Sequence, residues 1–186
     1  MASFRGFVAV PVPPLPPLLY FREALAATRA DLTLVRPENL HVTLRFLGEV
    51  DGEHEAALRT ILEGAVAGLR RFESRLEGAG TFPPRGPPRI VWAGLSGADA
   101  LSAVAGRLET AIRELGFAPE ERAFRPHVTV ARARSSRGAS AVRACVQEHE
   151  ATRFGAVPIS EVRLVRSDLS SAGPSYSTVC AVALEA

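Results

Sequence analysis

His41-Val-Thr-Leu44 and His127-Val-Thr-Val130 are two near-copies of one tetrapeptide in a chain of 186 residues with four histidines. Both are rich in β-branched residues, so each reads as part of a strand. Side chains two apart on a strand point the same way. His41 and Thr43 therefore share one face, and His127 and Thr129 share another. Val42 and Leu44 face the other side, as do Val128 and Val130, and both pairs suit a core. Each strand thus offers an imidazole and a hydroxyl on a polar face backed by apolar packing. A repeat that begins with so rare a residue points to an internal duplication, with one copy in each half of the chain.

Working outward, the first strand extends over Leu40 to Leu47, with Gly48 as its stop, after a turn at Arg36-Pro37-Glu38-Asn39. Upstream, GFVAVPV (6–12) is a strand, and the proline-rich PPLPPLL leads into a helix over about Leu18–Thr28. Downstream of Asp51, a candidate N-cap, Leu58, Ile61, Leu62, Ala65, Val66 and Leu69 form the stripe of a core-facing helix. A second such stripe carries Leu101, Val104, Ala105, Leu108, Ile112 and Leu115, with Gly116 as C-cap. Strands are predicted at Arg75–Phe82 and Arg89–Leu95. The PPRGPP segment at 83–88 between them is a lobe boundary or an exposed loop. The second copy lies on a strand at His127–Ala133. A polar loop at 134–138, a helix near 140–149 and strands near Ile159–Ser167 and Ser177–Leu184 complete the chain. The sum is α+β, and residues 1–186 need only one folding unit.

Composition narrows the function. The chain is 47% hydrophobic, enough for a sizeable core, and its 22 basic and 20 acidic residues leave a formal charge of only +2. Charge alone does not announce a nucleic-acid binder. Every basic residue is arginine, which fits a compositional bias and also a guanidinium's bidentate grip on phosphate. Two cysteines, Cys145 and Cys180, without a Cys-x-x-Cys spacing fit a reducing, cytoplasmic setting. Five prolines between Pro11 and Pro17 interrupt the N-terminal apolar run, arguing against a signal peptide or a membrane span. No large unexplained apolar stripe is visible, so a monomer is the default.

Two histidines across a cleft can run acid–base chemistry near neutral pH. In an in-line displacement at phosphorus, one imidazole takes a proton from the attacking water and an imidazolium gives one to the departing oxygen. Threonine hydroxyls can donate to the non-bridging oxygens. Such a site needs no metal or other cofactor, and the motifs lack the carboxylate-plus-histidine spacing of a metal site. Symmetry leaves open which histidine is the acid. His54, in the first turn of a helix, and His149, at a helix end, read as structural or solvated. Arg45 is in phase with His41 and Thr43 if its strand is regular. Arg132 is out of phase with His127 and reaches the same face only if its strand twists or ends there. Tyr176 and the Phe124/Arg125 pair are candidates to border a nucleobase.

RPENLHVTLRFLGEV (36–50) and FRPHVTVAR (124–132) resemble the paired His-x-Thr-x motifs of the two-histidine phosphoesterase superfamily. Within it they are similar to the RNA 2′,3′-cyclic phosphodiesterase branch, also called 2′-5′ RNA ligase. VRLVRSDLSSAGPSYSTV (162–179) is similar to the family's last strand-turn-strand, and GFVAVPV to its first strand. Val130 stands where leucine is commoner, a difference of packing.

The resemblance implies a bilobal α+β fold: two pseudo-symmetric lobes of antiparallel-rich sheet, outer helices and a central groove holding both motifs. It implies metal-independent hydrolysis of RNA or oligonucleotide 2′,3′-cyclic phosphate ends to a 2′-phosphomonoester, with reversible 2′-5′ joining in some members. The partner is then RNA with a cyclic phosphate end, or a cyclic nucleotide. His41 becomes the proton donor and His127 the proton acceptor. Thr43 and Thr129 become phosphate ligands, and Arg132 takes the family's frequent second-motif arginine position. A non-catalytic RNA- or nucleotide-binding module is the main alternative, and a histidine metalloenzyme is a third.

Overall fold

The computed structural model describes residues 3–170 and 173–186. In chain order the elements are β1 (Phe4–Pro11), α1 (Pro16–Ala27), β2 (Leu32–Leu34), β3 (His41–Val50), α2 (Glu55–Val66), β4 (Phe72–Phe82), β5 (Ile90–Ser96), α3 (Asp99–Glu114), β6 (His127–Ala133), α4 (Ala139–Glu148), β7 (Arg153–Ile159), β8 (Glu161–Ser170) and β9 (Gly173–Ala183). Short 3₁₀ turns at Pro37–Asn39 and Gly52–His54 precede β3 and α2. The class is α+β, as the motifs implied.

All strands join one antiparallel sheet in the order β7-β4-β5-β6-β3-β1-β8-β9, with β2 added along β6. The helices follow their apolar stripes. Leu58, Leu62, Ala65 and Val66 of α2 are buried, as are Leu101, Val104, Ala105, Leu108 and Ile112 of α3. On α1, Leu18, Phe21 and Leu25 are buried, and its first turn holds Pro16 and Pro17 where a proline costs no hydrogen bond. All four helices share one hydrophobic core with the strand residues that face them. α2 and α3 cover the flank of β3, β8 and β9, whereas α1 and α4 cover that of β4, β6 and β7. The other face carries only a small apolar cluster of Phe7, Ala9 and Val165, with Tyr176 against it.

The flanks interleave in sequence: β1, β3, β8 and β9 form one, and β4 to β7 the other. The 83–88 segment is therefore no boundary between them; it is the exposed connection of the β4–β5 pair within one flank. The flanks meet where β3 touches β6, and the sole paired position there is Val42↔Val128.

Two strands differ from expectation for local reasons. β3 runs past Gly48 to Val50, because Gly48 takes a left-handed φ of 72° and forms an irregularity against β1 without ending the strand. β7 begins at Arg153, whereas the predicted strand begins at Ile159. Gly155 and Pro158 break its alternation, and proline is tolerated there because β7 is an edge strand.

Candidate active site

The Val42↔Val128 pair sets an antiparallel register that brings His41 opposite Thr129 and Thr43 opposite His127. The histidines are then diagonal neighbours, roughly 7–8 Å apart at Cα for a regular ladder. Only one pair is bonded, so the strands splay to either side and a groove opens between the polar faces. The four motif side chains come together there, each half-buried.

Both imidazoles are held by the same device. His41 Nδ1 lies 2.6 Å from the Asn39 carbonyl oxygen, and His127 Nδ1 lies 2.6 Å from that of Arg125. A carbonyl only accepts, so each Nδ1 carries the hydrogen and each Nε2 is the free nitrogen. Asn39 is itself tied across to the β8–β9 hairpin, its Nδ2 donating to the Pro174 carbonyl at 3.5 Å. Aromatic rings fix the imidazole planes. His41 lies against Phe7 (centroids 4.9 Å apart) and the edge of Tyr176 (5.5 Å), and His127 meets Phe82 edge-on at 5.2 Å. Neither Thr43 nor Thr129 has a protein hydrogen-bond partner for its hydroxyl among the described residues. Two free donors thus flank two free Nε2 atoms.

A matched irregularity after each motif decides the arginines. In β3 the register jumps from Ala9↔Thr43 to Val8↔Arg45, so Leu44 is the extra residue of a bulge. In β6 it jumps from Trp92↔Thr129 to Val91↔Ala131, and Val130 is the extra residue. Each bulge inverts the phase of the remainder of its strand. Leu44 and Arg45 are both buried, as are Val130 and Ala131; Phe46 and Arg132 are the next exposed residues.

Arg45, predicted to share the face of His41 and Thr43, is therefore turned to the opposite side. It is 5% exposed, its Nε lies 2.6 Å from Glu109 of α3, and it donates to the carbonyls of Phe46 and Ala118. A phosphate in the groove is out of its reach. Arg132, predicted out of phase, is returned to the face of His127 and Thr129. Its positive charge acts on both histidines and on Tyr176, and no carboxylate pairs with it among the described residues.

The electrostatics derive from this placement. Burial pushes the His41 pKa below the ordinary histidine value; its bond to Asn39 opposes that, and the charges of Arg132 and His127 lower it further. His127 is lowered by burial and by Arg132, against its bond to Arg125. Both are neutral near pH 7. Tyr176 lines a small cavity beside His41 with Phe7 and Arg163, and burial raises its phenol. Phe124 packs on the core and is not free to meet a base. His149 donates from Nδ1 to the Cys145 carbonyl at 2.8 Å and stacks on Phe21, and His54 meets Phe117. Both are structural, as expected.

A family model described as 2'-5' RNA ligase superfamily matches residues 10–170. The chain belongs to that superfamily. It is similar to an RNA 2',3'-cyclic phosphodiesterase of Aeropyrum pernix, 35% identical over 170 residues that cover 87% of this chain and 92% of the relative. Among solved structures it is similar to TT0787 of Thermus thermophilus, with 29% identity, a TM-score of 0.74 and 97% of both chains covered. It is also similar to E. coli LigT complexed with 3'-AMP, with 26% identity, a TM-score of 0.70 and coverage of 98% of this chain and 99% of that one.

The fold of this superfamily member also positions residues that the motifs do not announce. Phe7, Phe82 and Trp92 form the walls against which the imidazoles sit. Trp92, the only tryptophan, lies opposite Thr129 with its ring over Gly80, where a Cβ would stand 2.1 Å from Cζ2 of the indole. Gly80→Ala must displace that ring, and with it Phe82 and His127. We expect a shifted tryptophan emission, an intact far-UV spectrum and a loss of kcat reaching about 10²-fold. Unchanged emission together with unchanged kcat would show that these walls do not position His127.

Proposed function

We propose that the chain hydrolyses 2′,3′-cyclic phosphate ends of RNA or oligonucleotides to a 2′-phosphomonoester. One observation carries this reading. Two imidazoles, each fixed through Nδ1 with Nε2 free, share a groove with two unpartnered threonine hydroxyls and an unpaired guanidinium. Such a set fits an anionic phosphoryl centre that needs one proton removed and another delivered.

His127 Nε2 accepts a proton from water as its oxygen attacks phosphorus from the side opposite the 3′-oxygen. The P–O3′ bond breaks, and His41, as imidazolium, delivers its Nε2 proton to O3′. Thr43, Thr129 and Arg132 hold the non-bridging oxygens as charge accumulates. The assignment of acid to His41 and base to His127 follows the family motif order. Both pKa values are depressed, so the substrate's phosphate anion has a second role. Its charge offsets Arg132 and stabilises the imidazolium. The terminal nucleoside then lies toward the cavity of Phe7 and Tyr176, whose aromatic faces suit a base. The reducing, cytoplasmic setting expected from composition agrees with two buried free cysteines. Among the described residues, no helix is long and apolar enough to cross a membrane.

The direct test is turnover of 2′,3′-cyclic AMP with excess chelator, the product identified by its 2′-phosphate. Absence of turnover with retained nucleotide binding would favour a binding module, and loss only with chelator a metalloenzyme. The kcat/KM profile should be a bell, since a neutral base and a protonated acid are needed together, and its two midpoints belong to the coupled pair.

Arg132→Gln removes a positive charge that disfavours both imidazolium forms, so both midpoints should move to higher pH. KM should also rise, because the phosphate loses a ligand. An unshifted profile measured against wild type would remove Arg132 from the groove.

A further inference from the structure

On the flank of β4 to β7 lies a second concavity, a cleft of about 910 Å³ floored by Phe82 and Ile90 and rimmed by Arg89, Arg122 and Arg134. Its size is that of small-molecule and nucleotide sites. No carboxylate lines it among the described residues. Arg134 is held by Asp31 at 2.6 Å, but Arg89 and Arg122 are exposed and have no acidic partner among the described residues. The floor is continuous with the catalytic groove, because the Phe82 ring is in edge contact with His127.

In-line displacement gives the cleft a meaning. The leaving O3′ belongs to the terminal nucleoside, so that nucleoside lies on the His41 side. The attacking oxygen must enter from the other side, next to His127, where hydrolysis uses water. A basic cleft with an aromatic and aliphatic floor opens at that point, and cations over stacking surfaces are how proteins hold single strands.

We propose that this cleft seats a second RNA strand bearing a free 5′-hydroxyl, whose oxygen replaces water as the nucleophile. The inference rests on the hydrolytic reading above and on its assignment of the leaving oxygen to His41. The 5′-hydroxyl gives its proton to His127 Nε2 as its oxygen bonds to phosphorus. The P–O3′ bond breaks, and His41 protonates O3′. The product is a 2′-5′ phosphodiester with a free 3′-hydroxyl, and no energy-rich co-substrate is consumed, because one phosphodiester bond replaces another. Arg89 and Arg122 meet the backbone phosphates of the incoming strand, and Phe82 or Ile90 supports its first base.

The test uses the full chain and Arg89→Glu/Arg122→Glu, two substitutions outside the hydrolytic machinery. Four readouts are compared: hydrolysis of 2′,3′-cyclic AMP, hydrolysis of an oligoribonucleotide ending in a cyclic phosphate, joining of that oligonucleotide to a 5′-hydroxyl strand, and anisotropy of a labelled 5′-hydroxyl strand alone. Both hydrolyses should stay within about twofold of wild type. Joining should fall at least about tenfold, and strand binding should weaken, with a salt slope lower by about 0.7 for each phosphate no longer neutralised. Loss of oligonucleotide hydrolysis with cyclic AMP hydrolysis intact would instead assign the cleft to the donor strand and overturn the proposal. Unchanged joining and binding would overturn it as well, as would a wild type that does not bind the 5′-hydroxyl strand. A wild type that binds the strand but leaves 2′,3′-cyclic AMP uncleaved would refute the hydrolytic reading and, with it, the strand's role as nucleophile.

Discussion

His41→Ala and His127→Ala should each lower kcat on 2′,3′-cyclic AMP by about 10²–10⁴-fold, the contribution of one positioned acid or base. Combining them should cost far less than the product of the two losses, because the groups act on one transition state as a unit. The structure adds conditions that separate this outcome from simple unfolding. Neither ring is a core side chain; each is half-buried on the open face and donates one hydrogen bond, from Nδ1 to a carbonyl two residues back. Losing such a bond to alanine costs about 1 kcal/mol, so both variants should unfold cooperatively within a few degrees of wild type. His→Gln and His→Asn variants test the geometry further, as neither amide titrates near neutrality. The surviving limb of the pH profile is then informative. Without the base, the rise of rate with pH should vanish, and without the acid, the fall. If His41→Ala keeps the falling limb, the acid is elsewhere and the paired mechanism is wrong.

Much of this site was legible in the residues alone because its parts obey local rules. Two His-x-Thr faces follow from the two-residue period of a strand, and the four helices follow from their apolar stripes, since burying such a stripe stabilises a helix more than propensity does. Legibility failed where the period itself breaks. A count of two from Thr43 puts Arg45 in the groove and leaves Arg132 out of phase. The bulges at Leu44 and Val130 reverse both placements. A signal was present: Val130-Ala131 are consecutive small apolar residues in a strand otherwise alternating with polar ones, as expected where two residues in a row face the core. Leu44-Arg45 carries no such signal, because the second residue of that pair is charged and is buried only by virtue of Glu109, far along the chain on α3. Long-range pairing of this kind has no local signature. The walls of the site were equally hidden: Phe7, Phe82 and Trp92 are ordinary strand aromatics until the sheet order brings β1, β4 and β5 around the two histidines.

Arg45 supplies the sharpest contrast between the two placements, and one variant measured in two ways decides it. If Arg45 met the phosphate, Arg45→Ala would raise KM and leave stability nearly intact. In the structure it is buried on the helix side, paired with Glu109 and bonded to the carbonyls of Phe46 and Ala118. Removing one partner of a buried pair costs about 3–5 kcal/mol, mostly because the remaining charge is left uncompensated. Glu109 is 28% exposed and recovers some hydration, so about 3 kcal/mol is expected, or roughly 6–12 °C in Tm for a domain of this size. The denaturant slope should be unchanged, since the same surface is exposed on unfolding. KM for 2′,3′-cyclic AMP, measured well below the transition, should stay within about threefold of wild type. Arg45→Met with Glu109→Leu should recover much of the loss, because an apolar pair of similar volume needs neither charge nor hydrogen bonds. The double-variant cycle would then show a coupling above about 1 kcal/mol, as expected for residues in direct contact. A raised KM with unchanged unfolding would return Arg45 to the groove and refute the bulge at Leu44 as the element that sets the phase of this strand.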